Sequence, residues 1–512
     1  MTDQPLFAAQ EPIFPRKVRG TFRNLKWVVM IVTLGIYYLV PWIRWDRGPN
    51  LPDQAVLVDL AGRRFYFFWI EIWPHEFYFV AGLLIMAGLG LFLFTSALGR
   101  VWCGYTCPQT VWTDLFILTE RWIEGDRNAR VRLWKAKWDA HKWRLRLTKW
   151  VIWGLIGLAT GGAWVFYFAD APTLLGDLVT GQAHPVAYTT MAILAFTTVL
   201  LGGFAREQVC IYMCPWPRIQ GAMMDEGTLT VGYRDWRGEP RGKPRQNREG
   251  DCIDCMACVN VCPMGIDIRE GQQMACITCA LCIDACDEVM DKIGKPRGLI
   301  DYLALSDAPP DTLAERVAAN PIGIRATGDA STIPAPGAPA PAPNASPVPI
   351  LTRADIKGWK PQPVWKHILR PRTIFYTIAW ALIGVALVVA LFIRPEIDMT
   401  VAAVRNPTYV TLSDGTIRNA YDIRLRNKHG EARDFHLSLN SDEILRIVVE
   451  GRDDLVVPVP PDSTTRTRVY VQARPGDPAA GANRVDLRFW VEDLISQERA
   501  YVDTHFLGTE SN

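Results

Sequence analysis

Apolar residues in this chain are bunched into long runs rather than spread with a single period. Five runs, roughly residues 25–43, 77–98, 151–169, 186–205 and 373–393, have the length needed to cross a bilayer, about 20 residues. The second carries no charge, which favours a membrane span over a buried soluble helix. The first follows a polar tail, 1–24, exceeds the apolar core of a leader peptide and lacks a small-x-small cleavage site, so it reads as a retained anchor. Beyond the fifth run, which spans 373–394, the period changes to two. Residues 409–412, 420–425, 435–439 and 468–471 alternate apolar with polar, and Ser413-Asp414-Gly415 and Lys428-His429-Gly430 supply turns. This spacing predicts an immunoglobulin-like β-sandwich over 395–512, held without a disulfide and lacking any catalytic constellation. Between 301 and 372 the composition shifts to Pro and Ala, as in Pro334-Ala335-Pro336, and predicts an extended linker.

Charge orients these elements. Arg16, Lys17, Arg19 and Arg23 crowd the N-terminal tail, and a basic run from Arg127, Arg130 and Arg132 to Arg146 and Lys149 follows the second apolar run. Residues 170–185 contain no Lys or Arg. By the inside bias of basic residues, the N-terminus, the loop after the second span and the segment 206–300 are expected in the cytoplasm. An odd number of spans then puts everything after Arg394 outside. The basic run is read as this orientation signal. A net charge of +2 gives no reason to expect nucleic acid as a partner.

All 12 cysteines lie between Cys103 and Cys286, unlike a secreted disulfide framework. Eight form a doubled pattern: Cys252-x-x-Cys255-x-x-Cys258-x-x-x-Cys262-Pro263 and Cys276-x-x-Cys279-x-x-Cys282-x-x-x-Cys286. This is the ligand spacing of an inserted ferredoxin-like domain with two 4Fe–4S clusters, in which the fourth thiolate of each cluster comes from the other motif. One cluster would use Cys252, Cys255, Cys258 and Cys286, the other Cys276, Cys279, Cys282 and Cys262. Structural zinc is the weaker reading, because zinc usually takes separated Cys-x-x-Cys pairs. Asp287 stands where a second proline is expected and could alter the turn beside Cys286. Asp251, Asp254, Asp267, Asp284 and Asp287 are expected to lower the cluster potentials. Thiolate-held clusters place this domain in a reducing compartment.

The other four cysteines also repeat. Cys103-Gly104-Tyr105-Thr106-Cys107-Pro108 follows the second run, and Cys210-Ile211-Tyr212-Met213-Cys214-Pro215 follows the fourth. Thiols at i and i+4 can share one helix face about 5–6 Å apart. Two such pairs would supply up to four soft donors, a set suited to Cu(I), with Met213 as a possible thioether. Buried interface cysteines and a thiol–disulfide relay are the alternatives. His75 and His184 precede the same two runs beside Pro74 and Pro185, and would form an outer quinol or copper contact.

Together these features resemble the FixG/CcoG family of polyferredoxin-like membrane proteins. The resemblance is carried by residues 102–109, from Trp102 through Cys103 and Cys107 to Gln109, by Cys282 to Met290, by Gly298-Leu299-Ile300-Asp301-Tyr302 and by Arg370-Pro371-Arg372-Thr373. It covers nearly the whole chain except the Pro/Ala-rich insert near 334–349. The resemblance implies a bacterial inner-membrane protein, with the domain after 394 periplasmic, tied to assembly of cbb-type cytochrome c oxidase. It further implies a cupric reductase, in which cluster electrons convert Cu(II) to Cu(I) beside Cys103, Cys107, Cys210 and Cys214. Oxidase subunits or copper chaperones and transporters would be its partners. The absence of a Gly-x-Gly-x-x-Gly unit and of Cys-x-x-Cys-His argues against bound nicotinamide and c-type haem, so electrons would arrive from a cytoplasmic donor or a quinol. A quinol-linked relay and a non-catalytic assembly scaffold are the competing functions.

Overall fold

The structure is a computed structural model describing residues 12–48, 51–243, 250–309, 362–393, 397–461 and 463–509. The side chain of His75 and the Pro/Ala-rich stretch within 310–361 lie outside the described residues. The chain divides into two compact units, Met1–Ile43 with Ala55–Val385, and Arg44–Gln54 with Ala386–Asn512.

Among the described residues, four helices are long and apolar enough to cross a membrane: Thr21–Trp42, Phe77–Leu98, Pro185–Ala205 and Pro371–Ile393. Their outer faces carry large apolar side chains in the open, such as Leu84, Ile193 and Phe375, which is the surface that lipid covers. The regular part of the first is α1 (Thr21–Leu39), and the second is α2 (Phe77–Leu98). Between them Val56–Asp59 (β1), Arg64–Phe67 (β2) and Ile70–Ile72 (β3) form an antiparallel meander that the apolar pattern did not predict.

After α2 come α3 (Val101–Tyr105), α4 (Pro108–Glu124), α5 (Arg127–Lys135) and α6 (Ala140–Val165). The expected third span falls in α6, but the helix starts earlier and stops earlier. Its apolar part runs only from Trp150 to Val165, short of the about 20 residues a bilayer needs. Following α7 (Ala171–Thr180), α6 packs tightly on α8 (Pro185–Thr198). A Cβ on Gly157 would lie 2.8 Å from the Ala195 carbonyl oxygen, and one on Gly161 would lie 2.5 Å from that of Met191. Small residues four apart let the two backbones touch. α8 then passes into two π-helical stretches, Val199–Ala205 and Val209–Met213, and α9 (Trp216–Met223) closes the region.

The inserted domain pairs Thr230–Tyr233 (β4) with Ile300–Leu303 (β5). It also contains the short α10 (Asp235–Gly238) and two helices after the cysteine loops, α11 (Ala257–Val261) and α12 (Leu281–Lys292). The strand at Ile300–Leu303 occupies the start of the stretch expected as linker. In the second unit, Arg446–Val449 (β10), Thr464–Ala473 (β12), Ile417–Asn427 (β8) and Ile397–Ala403 (β6) form one sheet, with Val410–Thr411 (β7) also on β8. Val456–Val459 (β11), Arg433–Ser441 (β9), Val485–Asp493 (β13) and Arg499–Phe506 (β14) form the other. Alternate residues from both sheets, including Ile423, Leu425, Leu437, Val471 and Phe489, fill one shared core. This is a β-sandwich, and the period-two segments of the sequence fall on its strands.

Candidate redox centre

The two cysteine loops of the inserted domain have the same local geometry. Residues flanking the middle cysteine are left-handed in both: Asp254 and Met256 around Cys255, with φ of 56° and 58°, and Thr278 and Ala280 around Cys279, with φ of 55° and 59°. Such turns bend each loop so that its three thiols line one cavity, and each loop then enters a helix. The structure gathers Cys252, Cys255, Cys258 and Cys286 around one cavity, and Cys262, Cys276, Cys279 and Cys282, with Cys258, around a second. Pro263 forces Cys262 into an extended conformation at the end of α11, as the residue before a proline requires. With Asp287 in place of the second proline, the helix instead continues through Cys286.

Burial disfavours the thiolate form of five of these cysteines. Burial and then neighbouring cysteines push Cys262 and Cys286 up to about 12. Burial raises Cys258 and Cys276 to about 11. Cys282 lies well above its ordinary value for the same reason. A buried set of four sulfurs becomes thiolate only around bound metal, so the donor sets and their spacing fit iron–sulfur clusters. The acids singled out in the sequence are less free than expected. Asp251 pairs with Arg237 at 2.7 Å and Lys295 at 2.8 Å, and Arg269 holds Asp254 and Asp267 at 2.6 Å each. Asp284 accepts the amides of Phe22 and Arg23 at the start of α1. The negative charge of Asp251, Asp254 and Asp267 is thus offset by paired cations. Asp287 accepts only the Gly298 amide, at 3.0 Å, among these contacts.

The remaining four cysteines are brought together from two distant parts of the chain. Cys103 and Cys210 pack against the core containing Ile277, Cys279 and Leu281. Burial, then Cys107, Cys103 and Cys214, push the Cys210 thiol up to about 12. Burial also raises Cys103, which Arg100 lowers and Cys107 and Cys214 raise. The pairs do not share one regular helix face. In each motif the second cysteine is extended before its proline, and its amide closes a six-residue turn: Cys107 to the Trp102 carbonyl at 3.0 Å, Cys214 to that of Val209 at 2.8 Å. Proline at the next position excludes helix at Cys107 and Cys214, which the i, i+4 argument overlooked.

Three further residues fix this set against the second cluster loop, and the sequence reading missed them. Gly104 lies so close that a Cβ there would be 2.6 Å from the Ile277 carbonyl oxygen and 3.0 Å from the Cys279 backbone. Tyr105 donates its hydroxyl to the Cys279 carbonyl at 3.2 Å. Arg100, buried, donates to the Met274 carbonyl just before Cys276. Cys103 in turn donates its thiol to Gln220 at 3.1 Å. The Gly and Tyr between the cysteines were the only signal, and spacing could not say what they touch. Among the described residues, no three His, Cys, Asp or Glu side chains converge closely enough to hold a single ion as placed. His184 is exposed and caps α8, accepting the Val186 amide at 3.3 Å, so its visible role is structural.

Comparison with known proteins agrees with this architecture. Residues 205–304 match a 4Fe-4S dicluster domain, 79–128 match a 4Fe-4S binding domain, and 387–509 match the Ig-like fold at the C-terminus of FixG. The chain is similar to Protein RdxB of Cereibacter sphaeroides, 63% identical over 98% of this chain and 97% of that one. It is similar to Protein RdxA of the same organism, 58% identical over 99% and 100% of the two chains. Nitrogen fixation protein FixG of Rhizobium meliloti is 50% identical over 98% of this chain and 94% of its own length. The protein is an iron–sulfur redox protein with membrane helices, and it belongs to the FixG family.

Proposed function

We propose that this protein is a cupric reductase of the cytoplasmic membrane that delivers Cu(I) for assembly of cbb-type cytochrome c oxidase. The observation that carries the reading is that Cys103, Cys107 and Cys214 neighbour Cys210, and that Cys103 and Cys210 pack against the second cluster loop. Bound clusters would supply one-electron transfer at potentials the protein tunes. The chain's own residues do the rest. Four soft sulfurs offer Cu(II) a site that favours the reduced ion, since thiolate prefers Cu(I). Burial raises the Cys103 thiol and Arg100 partly offsets that rise, easing deprotonation when copper arrives. Gly104 and Tyr105 hold the substrate side against Cys279, keeping the transfer distance short. One electron enters each Cu(II), and the Cu(I) formed leaves to a copper chaperone, transporter or oxidase subunit. The basic tail and basic run favour placing this site in the cytoplasm. The experiment is an anaerobic Cu(II) titration of dithionite-reduced, desalted protein with a Cu(I)-specific chelator. One Cu(I) per electron stored supports the reading; no Cu(I) beyond a reduced-buffer control overturns it.

A second reading has its own support. The match over 79–128 to a 4Fe-4S binding domain includes only Cys103 and Cys107, which favours a further cluster on the same four cysteines. Iron analysis separates the two: about eight irons per chain for two clusters, about twelve for three.

A further inference from the structure

The basic run after α2 does more than mark orientation. Lys142, Arg146 and Lys149 lie on one face of α6, and that face is buried rather than solvated. With Arg130 of α5 and Arg206, they line a cavity of about 470 Å³ between α4, α5, α6 and the π-helical stretch Val199–Ala205. That is room for a headgroup, not for a lone ion.

Its charges do not balance. Glu120 takes Arg130, Arg206 and Lys149, and Glu124 takes Arg146 at 3.1 Å and Lys149 at 2.9 Å. Glu207 also lines the cavity. Five cations thus meet three carboxylates, an excess of two positive charges. Among the described residues, the Lys142 ammonium donates to the carbonyls of Trp134 and Ala136, at 3.1 and 2.6 Å, and pairs with no carboxylate. Arg130 is 1% exposed, yet its Nη1 has no hydrogen-bond partner. A buried guanidinium donor without an acceptor is costly, and the excess positive charge of the wall favours an anion in the cavity.

The walls indicate what carries that anion. Trp138 lies 4.8 Å from the Lys142 Nζ and Trp134 lies 5.8 Å from the Arg146 guanidinium, and both rings are more than half exposed. Tryptophan and basic residues together are the pattern of a membrane interface. Beyond Lys149 the same helix turns apolar, from Trp150 to Val165, so the cations sit at the step from headgroup to acyl chain. We propose that this cavity binds the phosphate of an anionic phospholipid, with Arg130 and Lys142 as its principal donors. A bound lipid would complete the walls around Arg206, which lies four residues before Cys210.

The test uses the full-length protein, delipidated in neutral detergent and titrated with phosphatidylglycerol, phosphatidylcholine or inorganic phosphate under native mass spectrometry. Phosphatidylglycerol is expected to bind in preference to phosphatidylcholine, and Lys142→Gln to weaken it about tenfold, the loss of one charge-assisted contact. Arg130→Gln should weaken it at least as much. If it disturbs folding, Lys142→Gln, which breaks no carboxylate pair, decides alone, with unchanged cluster absorbance as the control. Equal retention of the two lipids, or wild-type binding by Lys142→Gln, overturns the proposal. Inorganic phosphate binding as tightly as phosphatidylglycerol overturns the lipid assignment in favour of a free anion.

Discussion

Gly104 is the residue on which the arrangement of the two cysteine sets turns. Any side chain there meets the Ile277 and Cys279 backbone, which cannot move without shifting the cluster loop. Gly104→Ala is therefore expected to cost about 1–3 kcal/mol as an overpacked contact. Iron content should fall, and cluster absorbance should be lost at a lower temperature than in wild type. Unchanged thermal loss would contradict the close approach. Arg269 makes a second prediction. Its hydrogen bond to Asp267 holds that carboxyl below the usual carboxylate range. The stabilisation is then complete above pH about 4 and lost as pH falls through the depressed value. Arg269→Gln should lower the melting temperature at neutral pH, and the gap to wild type should close in acid. A gap of constant size would rule the pairing out as its source. At this scale the cysteines were legible because metal ligands keep a fixed local spacing. Arg100, Gln220 and Gly104 were not, because their partners lie more than a hundred residues away and no local pattern marks them.

Elements were legible where one period dominated. The four spans and the sandwich strands followed directly from unbroken apolar runs and from alternation. The β1–β3 meander escaped because its strands are three or four residues long, too short for alternation to register. The bounds of the third run differ because a basic half-helix and an apolar half-helix join in α6, which ends at Val165, before the apolar run does. The i, i+4 thiol pairing failed for a different reason, the proline after each second cysteine. One prediction belongs to the join between elements. Asp284 of α12 caps the first turn of α1 with two amide contacts, at 3.2 and 2.7 Å, and Gly20 leaves room for it. Asp284→Ala should destabilise that join by about 1–2 kcal/mol, as lost caps do. Hydrogen exchange should speed up at Phe22 and Arg23 first. Protection there equal to wild type would show that the cap is dispensable.

Across the molecule, the sandwich and the cluster domain have separate cores, so damage to one should spare the other. Phe489→Ala, at a fully buried position, is expected to cost about 3–5 kcal/mol in the sandwich while leaving iron content unchanged. Within the first unit an exposed cluster ligand, Cys255, belongs to the first loop, while Cys103 and Cys210 pack against the core of the second loop. Such an arrangement suits delivery of electrons to a soft metal. The most direct test mixes reduced protein with Cu(II) by stopped flow, comparing wild type with the variant carrying Cys103→Ser, Cys107→Ser, Cys210→Ser and Cys214→Ser. The account predicts rapid cluster oxidation matched by Cu(I) in wild type, and loss of the copper-dependent phase in the variant with the ferredoxin-domain clusters intact. An undiminished copper-dependent phase in the variant would contradict it.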